Sequence, residues 1–377
     1  MELLFLATML GLLIWATIFL LPSCPYSTRE SLAVLSAEKV PLSEVTVLIP
    51  ARNEASTITE TLAALKAQDP QLKVILVDDQ STDNTIKYAN SAKLDNLLIL
   101  SGAKLPKGWS GKLWALEQGR KYVQTHYLVL VDADIILKPG LIKTILSKAK
   151  KNDIKLLSLM ARLRMSSFWE ILLMPAFIFF FKLIYPFRLS NSSNSKIAAA
   201  AGGCILLETE ILKELGGFKS IQNALIDDCA LAKKVKQSGY KTWIGLTHSV
   251  ISTRRYDKLS IIREMITRTA YTQLHYSPLL LLFCTILMII AFLIPVAAIL
   301  QTQSIIMIMG LITLCIQAIC YLPILRYYSL NPLYAVLLPF IGMLYLFFTL
   351  NSAYCYYFSK GICWKDRYYK NCKKSRK

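Results

Sequence analysis

The stretch Tyr127-Leu128-Val129-Leu130-Val131-Asp132-Ala133-Asp134 decides how the rest of the chain is read. Its first five residues are apolar, partly β-branched and uninterrupted, which predicts a buried strand. Two carboxylates follow where the strand should stop. In open α/β sheets, ligands bind at the carboxyl ends of the strands. Two acids one residue apart repel unless a cation lies between them, and a divalent metal that itself holds a diphosphate suits such a pair. An isolated D-x-D reads equally as a strand-end turn with solvated acids, so its company matters.

Upstream, Val45-Thr46-Val47-Leu48-Ile49 and Lys73-Val74-Ile75-Leu76-Val77 predict two further strands, and Leu97-Leu98-Ile99-Leu100 a short third one. Ile58, Leu62 and Leu65 share one face of a helix over about 55–67. Ser81-Thr82-Asp83 can cap another helix, and a loop with Gly102, Gly108 and Gly111 precedes a helix from about 112. This β-α-β-α order predicts an α/β domain with a mostly parallel, Rossmann-like sheet.

Acid-rich clusters recur at the expected strand ends. Pro50-Ala51-Arg52-Asn53-Glu54 follows the first strand, Asp78-Asp79-Gln80-Ser81-Thr82-Asp83 the second, and Asp132-Ala133-Asp134 the fourth. In a parallel sheet all three share one rim. A fourth cluster, Asp227-Asp228, opens an amphipathic helix carrying Leu231, Ala232 and Val235. Taken singly each is bland: Asp83 reads as an N-cap, Asp227-Asp228 as a capped helix start, and Arg52-Asn53-Glu54 as a polar turn. Cys204 reads as packing, and His126, His248 and His275 do not cluster. Together the acids suggest a division of labour. One near the second strand can accept the imide N–H of uracil, one after the fourth can bind the metal, and one at the late helix can act as general base on an incoming hydroxyl. The helix N-terminus should keep that base ionised. A single base suits one in-line displacement at an anomeric carbon, with inversion; retention would need a second placed nucleophile.

Composition adds a membrane. Of 377 residues, 54% are hydrophobic, and the apolar excess lies at the two ends. Residues 3–21, 278–300, 304–325 and 333–353 are each long enough to span a bilayer as a helix. The first has Glu2 and no Lys or Arg before it, which favours an uncleaved anchor over a signal peptide. Pro295, Pro323 and Pro339 lie within the candidate spans and can break them. A net charge of +19 invites a nucleic-acid reading, but no basic stripe with interleaved aromatics is present, so nucleic acid is excluded as a partner. Residues 354–377 hold eight Lys or Arg against one Asp and read as a basic tail attracted to anionic lipid. Three crossings after a cytoplasmic domain would put that tail outside, so one stretch is re-entrant or the positive-inside preference is broken. The aromatic segment 168–187 reads as an interfacial helix or as ordinary core, and Ser190-Asn191-Ser192-Ser193-Asn194-Ser195 as a mobile loop. Nine cysteines without a C-x-x-C pair fit a reducing compartment. The expected organisation is an anchor at 1–22, a catalytic domain at 23–277, a membrane region at 278–353 and a tail at 354–377.

The four clusters in this order resemble the family 2 inverting glycosyltransferases of GT-A fold. A closer resemblance, to the hopene-associated glycosyltransferases of bacteria, is carried by 105–116 (LPKGWSGKLWAL), 167–170 (SFWE), 198–204 (AAAAGGC), 224–231 (ALIDDCAL) and 268–274 (RTAYTQL), and covers roughly residues 1–300. The resemblance implies roles. Pro50, Arg52 and Glu54 would line the nucleotide pocket. Asp79 would contact uracil with Asp78 supporting it. Asp132 would lie near ribose and metal, and Asp134 would be the main ligand of Mg²⁺ or Mn²⁺. Asp228 would be the base, with Asp227 in place of the family's Glu. Lys112 would meet the diphosphate. Processive relatives carry Q-x-x-R-W, whereas this chain has Thr267-Arg268-Thr269-Ala270-Tyr271, which argues for transfer of a single sugar. The implied activity moves a sugar from a UDP-sugar to a membrane lipid, a hopanoid, at the cytoplasmic face of a bacterial inner membrane. Ceramide, diacylglycerol and polyprenyl phosphate remain alternative acceptors. Rival readings are a non-catalytic lipid-binding scaffold, a transporter, which the spans' shortage of ionisable residues disfavours, and a nucleotidyltransferase, which would not need Asp228.

Overall fold

The computed structural model describes residues 1–34 and 40–358, with the backbone alone of 362–364 and 367–369; most of the basic tail expected at 354–377 lies outside the described residues. The chain divides into two compact units, each assembled from separated segments. One comprises Glu30–Arg164 and Phe187–Arg255; the other comprises Met1–Arg29, Met165–Pro186 and Tyr256–Lys377.

Among the described residues, the first unit is built on eight strands: β1 (Val45–Ala51), β2 (Lys73–Asp78), β3 (Leu97–Ser101), β4 (Tyr127–Val131), β5 (Ile135–Leu137), β6 (Leu156–Arg162), β7 (Cys204–Glu208) and β8 (Thr242–Ser252). They lie in the order β3-β2-β1-β4-β7-β6-β8-β5. The first four pair in parallel, as expected from the alternation of strand and helix. β7 runs against both β4 and β6, β8 runs parallel to β6, and β5 closes the far edge against β8. Leu128–Val131 are buried on both faces, which is why this strand reads as a continuous apolar run. One face packs on Ile58, Leu62 and Leu65, the stripe expected from the sequence, and the other on Leu113, Leu116 and Phe218.

One detail corrects an expectation and another bears one out. Residues 190–195 are anchored: Asn191 exchanges two hydrogen bonds with the backbone of Ile244, at 2.7 and 2.9 Å. The Lys236 ammonium also donates to the carbonyls of Leu189, Ser190 and Ile197. Cys204 is fully buried in the sheet core, as its packing role requires.

Among the described residues, the second unit holds four helices long and apolar enough to cross a membrane: Glu2–Leu20, Pro278–Ala298, Ser304–Tyr327 and Pro332–Phe358. Pro295 does not break its span. A proline has no N–H for the carbonyl four residues earlier, which is that of Ala291. The helix passes through a π-helical turn at Ile289–Leu293, and the Ala291 carbonyl accepts instead from the Trp15 indole at 2.9 Å and the Gln317 amide at 2.8 Å. The Ser304–Tyr327 helix likewise runs through Pro323, while Pro339 sits at the start of the Leu338–Phe358 helix, where its missing donor costs least.

Within the same unit, Phe168–Ile184 starts with a capping box. Ser167 Oγ accepts from the Glu170 amide, and the Glu170 carboxylate accepts from the amides of Ser166, Ser167 and Tyr256. Phe179 packs edge-on to Tyr321, and the Tyr345 hydroxyl donates to the Leu173 carbonyl, while Phe168 and Ile184 at the two ends stay exposed. Tyr271, in the stretch that stands where processive relatives keep Q-x-x-R-W, is buried. Its amide donates to Ser352 Oγ and its hydroxyl meets that of Tyr357 at 3.0 Å.

Candidate active site

The site lies in the sheet unit, beyond the carboxyl ends of β1, β2 and β4. Parallel pairing of β1 with β2 sets Ala51 opposite Asp78, so the first two clusters meet directly. The Arg52 guanidinium donates to the carbonyls of Asp79 and Gln80, at 2.6 and 2.9 Å. Asn53 (φ +50°) and Gln80 (φ +60°) adopt the left-handed backbone that turns the two loops toward each other. The Asn53 amide donates to Ser81 Oγ, and the Thr82 amide to Asn53 Oδ1. Asp79 is 3% exposed. Asp78 accepts from the Ser81 amide with both carboxylate oxygens, which suits a supporting role. Asp83, expected as an N-cap, lies one residue before the N-cap Asn84; its carboxylate accepts from the Thr85 amide at the start of the next helix and from the Ala55 amide, which ties the first two loops together.

The second group of residues converges on Lys112. This side chain rises from the first turn of the Gly111–Arg120 helix, and its ammonium lies 2.7 Å from Asp132 and 3.6 Å from Asp227. Asp228 adjoins them at the start of the Asp227–Gln237 helix. Gly202 makes the convergence possible. The Val131–Cys204 register of β4 and β7 carries the 202–203 backbone over the end of β4. A Cβ on Gly202 would stand 3.0 Å from Lys112 Nζ, 3.5 Å from Asp228 Oδ2 and 3.6 Å from Asp132 Oδ2. Pro50, Lys112, Asp132, Gly202, Asp227 and Asp228 therefore line one small cavity.

The electrostatics follow from crowding. Burial, then the Asp227 charge, push the Asp228 carboxyl up to about 7, against the pull of Lys112 and of the Cys229 amide. That amide donates to Asp228 Oδ1 at 2.7 Å. The helix N-terminus was expected to keep this acid ionised; the contact exists but is outweighed. Burial also raises Asp132, with Asp134 adding to it and Lys112 opposing it. Although burial works against its charged form, Lys112 is raised by Asp132, Asp227 and Asp228, so it stays an ammonium.

Asp134 points elsewhere. The strand ends at Val131, and a turn in which the Ile135 amide donates to the Asp132 carbonyl separates the two acids of the motif. Asp134 Oδ2 accepts from Arg254 Nε at 2.9 Å and from Ser252 Oγ at 3.3 Å. Arg254 Nη2 also reaches Glu54 Oε1 at 3.0 Å. Glu54, expected beside the nucleotide, thus turns its carboxylate toward the third cluster. Arg254 carries no short-range signal that marks it, and Gly202 lies in the 198–204 stretch that carries the resemblance but has no role assigned by it. Only the long-range pairing of β5 with β8 and of β4 with β7 brings them in.

A glycosyl transferase family 2 model matches residues 46–216. The chain carries a family 2 glycosyltransferase domain. Curated relatives include 4,4'-diaponeurosporenoate glycosyltransferases of Staphylococcus haemolyticus, 33% identical over 95 residues, and of Staphylococcus aureus, 31% identical over 105 residues. These matches cover 25% and 28% of this chain, which spans only 24% and 28% of the relatives' own lengths. Among solved structures, a mannosyltransferase from Pyrobaculum calidifontis in complex with GDP-Man and Mn²⁺ is similar over 93% of this chain and 95% of its own, at 18% identity and a TM-score of 0.51. That likeness concerns the fold, and with the mixed, mostly parallel sheet it identifies the GT-A arrangement.

GT-A glycosyltransferases imply a divalent cation. Among the described residues, no group of three or more His, Cys, Asp or Glu forms a cage for one. Mg²⁺-type ions, however, are usually held by one or two carboxylates together with substrate phosphates. Asp132 and Asp134 offer hard oxygen donors of the kind such a shared ion takes, with Asp134 Oδ2 held by Arg254 in this structure.

Proposed function

We propose that this glycosyltransferase moves one sugar from a UDP-sugar to a hydroxyl of a membrane lipid, of hopanoid type, with inversion at the anomeric carbon. The carrying observation is the placement of Asp228 beside Lys112 and Asp132 in one small cavity, with its carboxyl held at about 7. A general base works best with a pKa close to the operating pH, where it is available yet still basic. Asp228 takes the acceptor's proton as its oxygen attacks the anomeric carbon and the diphosphate leaves from the opposite side. Asp227 shares Lys112 and raises the basicity of Asp228 by repulsion. Lys112 also offsets charge on the departing diphosphate. Asp79, with Asp78 behind it and Arg52 bracing their loop, receives the uracil, and Pro50 completes the nucleotide pocket. Asp134, with Asp132, would hold Mg²⁺ or Mn²⁺, whose contribution is to neutralise the leaving diphosphate.

Four helices of spanning length support a lipid acceptor and residence in the bacterial inner membrane, with the sheet unit facing the cytoplasm where nucleotide sugars are made. The names of the staphylococcal relatives favour a second reading of the acceptor, since a "-oate" is a carboxylate. A carboxylate acceptor is already deprotonated and needs no base. The two readings separate on one substitution. Detergent-purified protein is given labelled UDP-glucose, UDP-galactose or UDP-GlcNAc with Mn²⁺ and a bacterial lipid extract. Asp228→Asn should keep donor affinity and lose transfer by about 10²–10⁴-fold, the usual worth of a general base. Near-normal transfer in that variant would overturn the hydroxyl reading.

A further inference from the structure

We propose that Arg254 is a built-in counter-cation of the metal carboxylate, an assignment that rests on Asp134 being the metal ligand. Its guanidinium holds Asp134 Oδ2, so a divalent cation that takes this oxygen competes with Arg254 for it. The geometry carries this. Arg254 Nε sits 2.9 Å from Asp134 Oδ2 while Nη2 sits 3.0 Å from Glu54 Oε1. The two carboxylates come from the ends of different strands and are each only about a tenth exposed.

The backbone that carries Arg254 is fixed. β5 and β8 pair Ile135 with Ser252, and the Thr253 amide and hydroxyl both donate to the Asp134 carbonyl, at 2.9 and 3.0 Å. Only the side chain can move. A guanidinium remains charged at any working pH and offers five donors in a planar fork. It can therefore release one carboxylate while keeping another. Glu54 is the anchor it keeps, and its released edge then faces a site that receives an anionic diphosphate. The consequence is ordered loading. Metal alone competes with a charge-assisted pair for Asp134, whereas metal arriving with a nucleotide gives Arg254 a replacement partner.

The test is a titration of Mn²⁺ followed by the electron paramagnetic resonance of the free ion. It uses the detergent-solubilised full chain, with and without UDP, in wild type, Arg254→Met and Arg254→Lys. Without UDP, Arg254→Met should bind Mn²⁺ roughly tenfold or more tightly than wild type, the worth of one charge-assisted hydrogen bond. Arg254→Lys, which keeps a cation, should track wild type. Arg254→Gln, neutral but still able to donate to Glu54, provides the same readout should the Met variant not fold. If wild type takes up Mn²⁺ with UDP but the neutral variants bind Mn²⁺ alone no better than wild type, the counter-cation is overturned and the metal assignment stands. Wild type that takes up no Mn²⁺ even with UDP ends both.

Discussion

Replacing Lys112 by Met tests whether the lysine sets the working pH of Asp228. Its ammonium and Asp228 Oδ2 lie 3.0 and 3.5 Å from the same point, the place a Cβ on Gly202 would occupy, so the two charges are at most about 6.5 Å apart. At that separation a cation favours the carboxylate by roughly 0.6 kcal/mol in a water-like dielectric and about 2.6 kcal/mol at the effective value of about 20 that suits protein sites. That corresponds to about half a pH unit to two. The sign is fixed. The ammonium stabilises the charged acid, so its loss raises the carboxyl and moves the basic form to higher pH. In wild type, kcat/KM should rise through a limb near pH 7, where Asp228 titrates. In Lys112→Met the limb should move up by about half a unit to two, whatever happens to the plateau, which also falls because the diphosphate loses a partner. The assay is radiolabelled sugar transfer across pH 5.5–9 at one fixed Mn²⁺ concentration, since a nearby cation lowers the limb in both proteins. Asp228→Asn should show no such limb. A Lys112→Met profile that keeps the wild-type limb, or shifts it down, refutes the coupling and with it the assignment of that limb to Asp228.

The same acid should leave a mark on stability. A carboxyl raised from its ordinary 3.8 to about 7 favours the folded state while protonated, and that benefit is lost as pH climbs from about 4 through about 7. Asp228→Asn should therefore melt higher than wild type at pH 8, by about 2 °C or more. The gap should close toward pH 5, and equal melting at both pH values would contradict the raised carboxyl. In the membrane unit, Trp15→Phe keeps the packing on Phe292 but removes the indole donor to Ala291. It should cost about 1 kcal/mol, and Trp15→Phe combined with Gln317→Leu more than the two separately, because only the double change leaves that carbonyl without either donor. Additive losses in detergent unfolding would argue that the two donors act independently.

The parallel half of the sheet was legible because each of its strands is a short apolar run closed by polar turn residues, and each helix shows its stripe. Ile58, Leu62 and Leu65 alone place one helix correctly. The other half was not legible. β6, β7 and β8 are paired across long separations, and β7 reverses direction against both neighbours, which no local period announces. The same limit applies to the site. Strand-end position brought Arg52, Asp79 and Asp132 to one rim, as the spacing implies. That Asp132 and Asp134 face different cations, Lys112 and Arg254, depends on a turn between them and on a partner 120 residues away. The pKa of Asp228 was misjudged for a related reason. The favourable helix amide and the opposing charge of Asp227 are local features, while the burial that raises the carboxyl most is not.

The pairing of Trp15 with the Ala291 carbonyl bears on how the protein is made. The two residues are 276 apart in sequence. At typical synthesis rates of about 5–20 residues per second, the first span exists for roughly 15–55 s before its acceptor leaves the ribosome. Throughout that interval the indole N–H must find another partner, lipid headgroup or water, and the whole sheet unit is synthesised meanwhile. The helix that carries Trp15 is thus made well before the carbonyl that its indole binds. Whatever shelters that indole over the interval therefore bears on how the helix pairs correctly with its later partner.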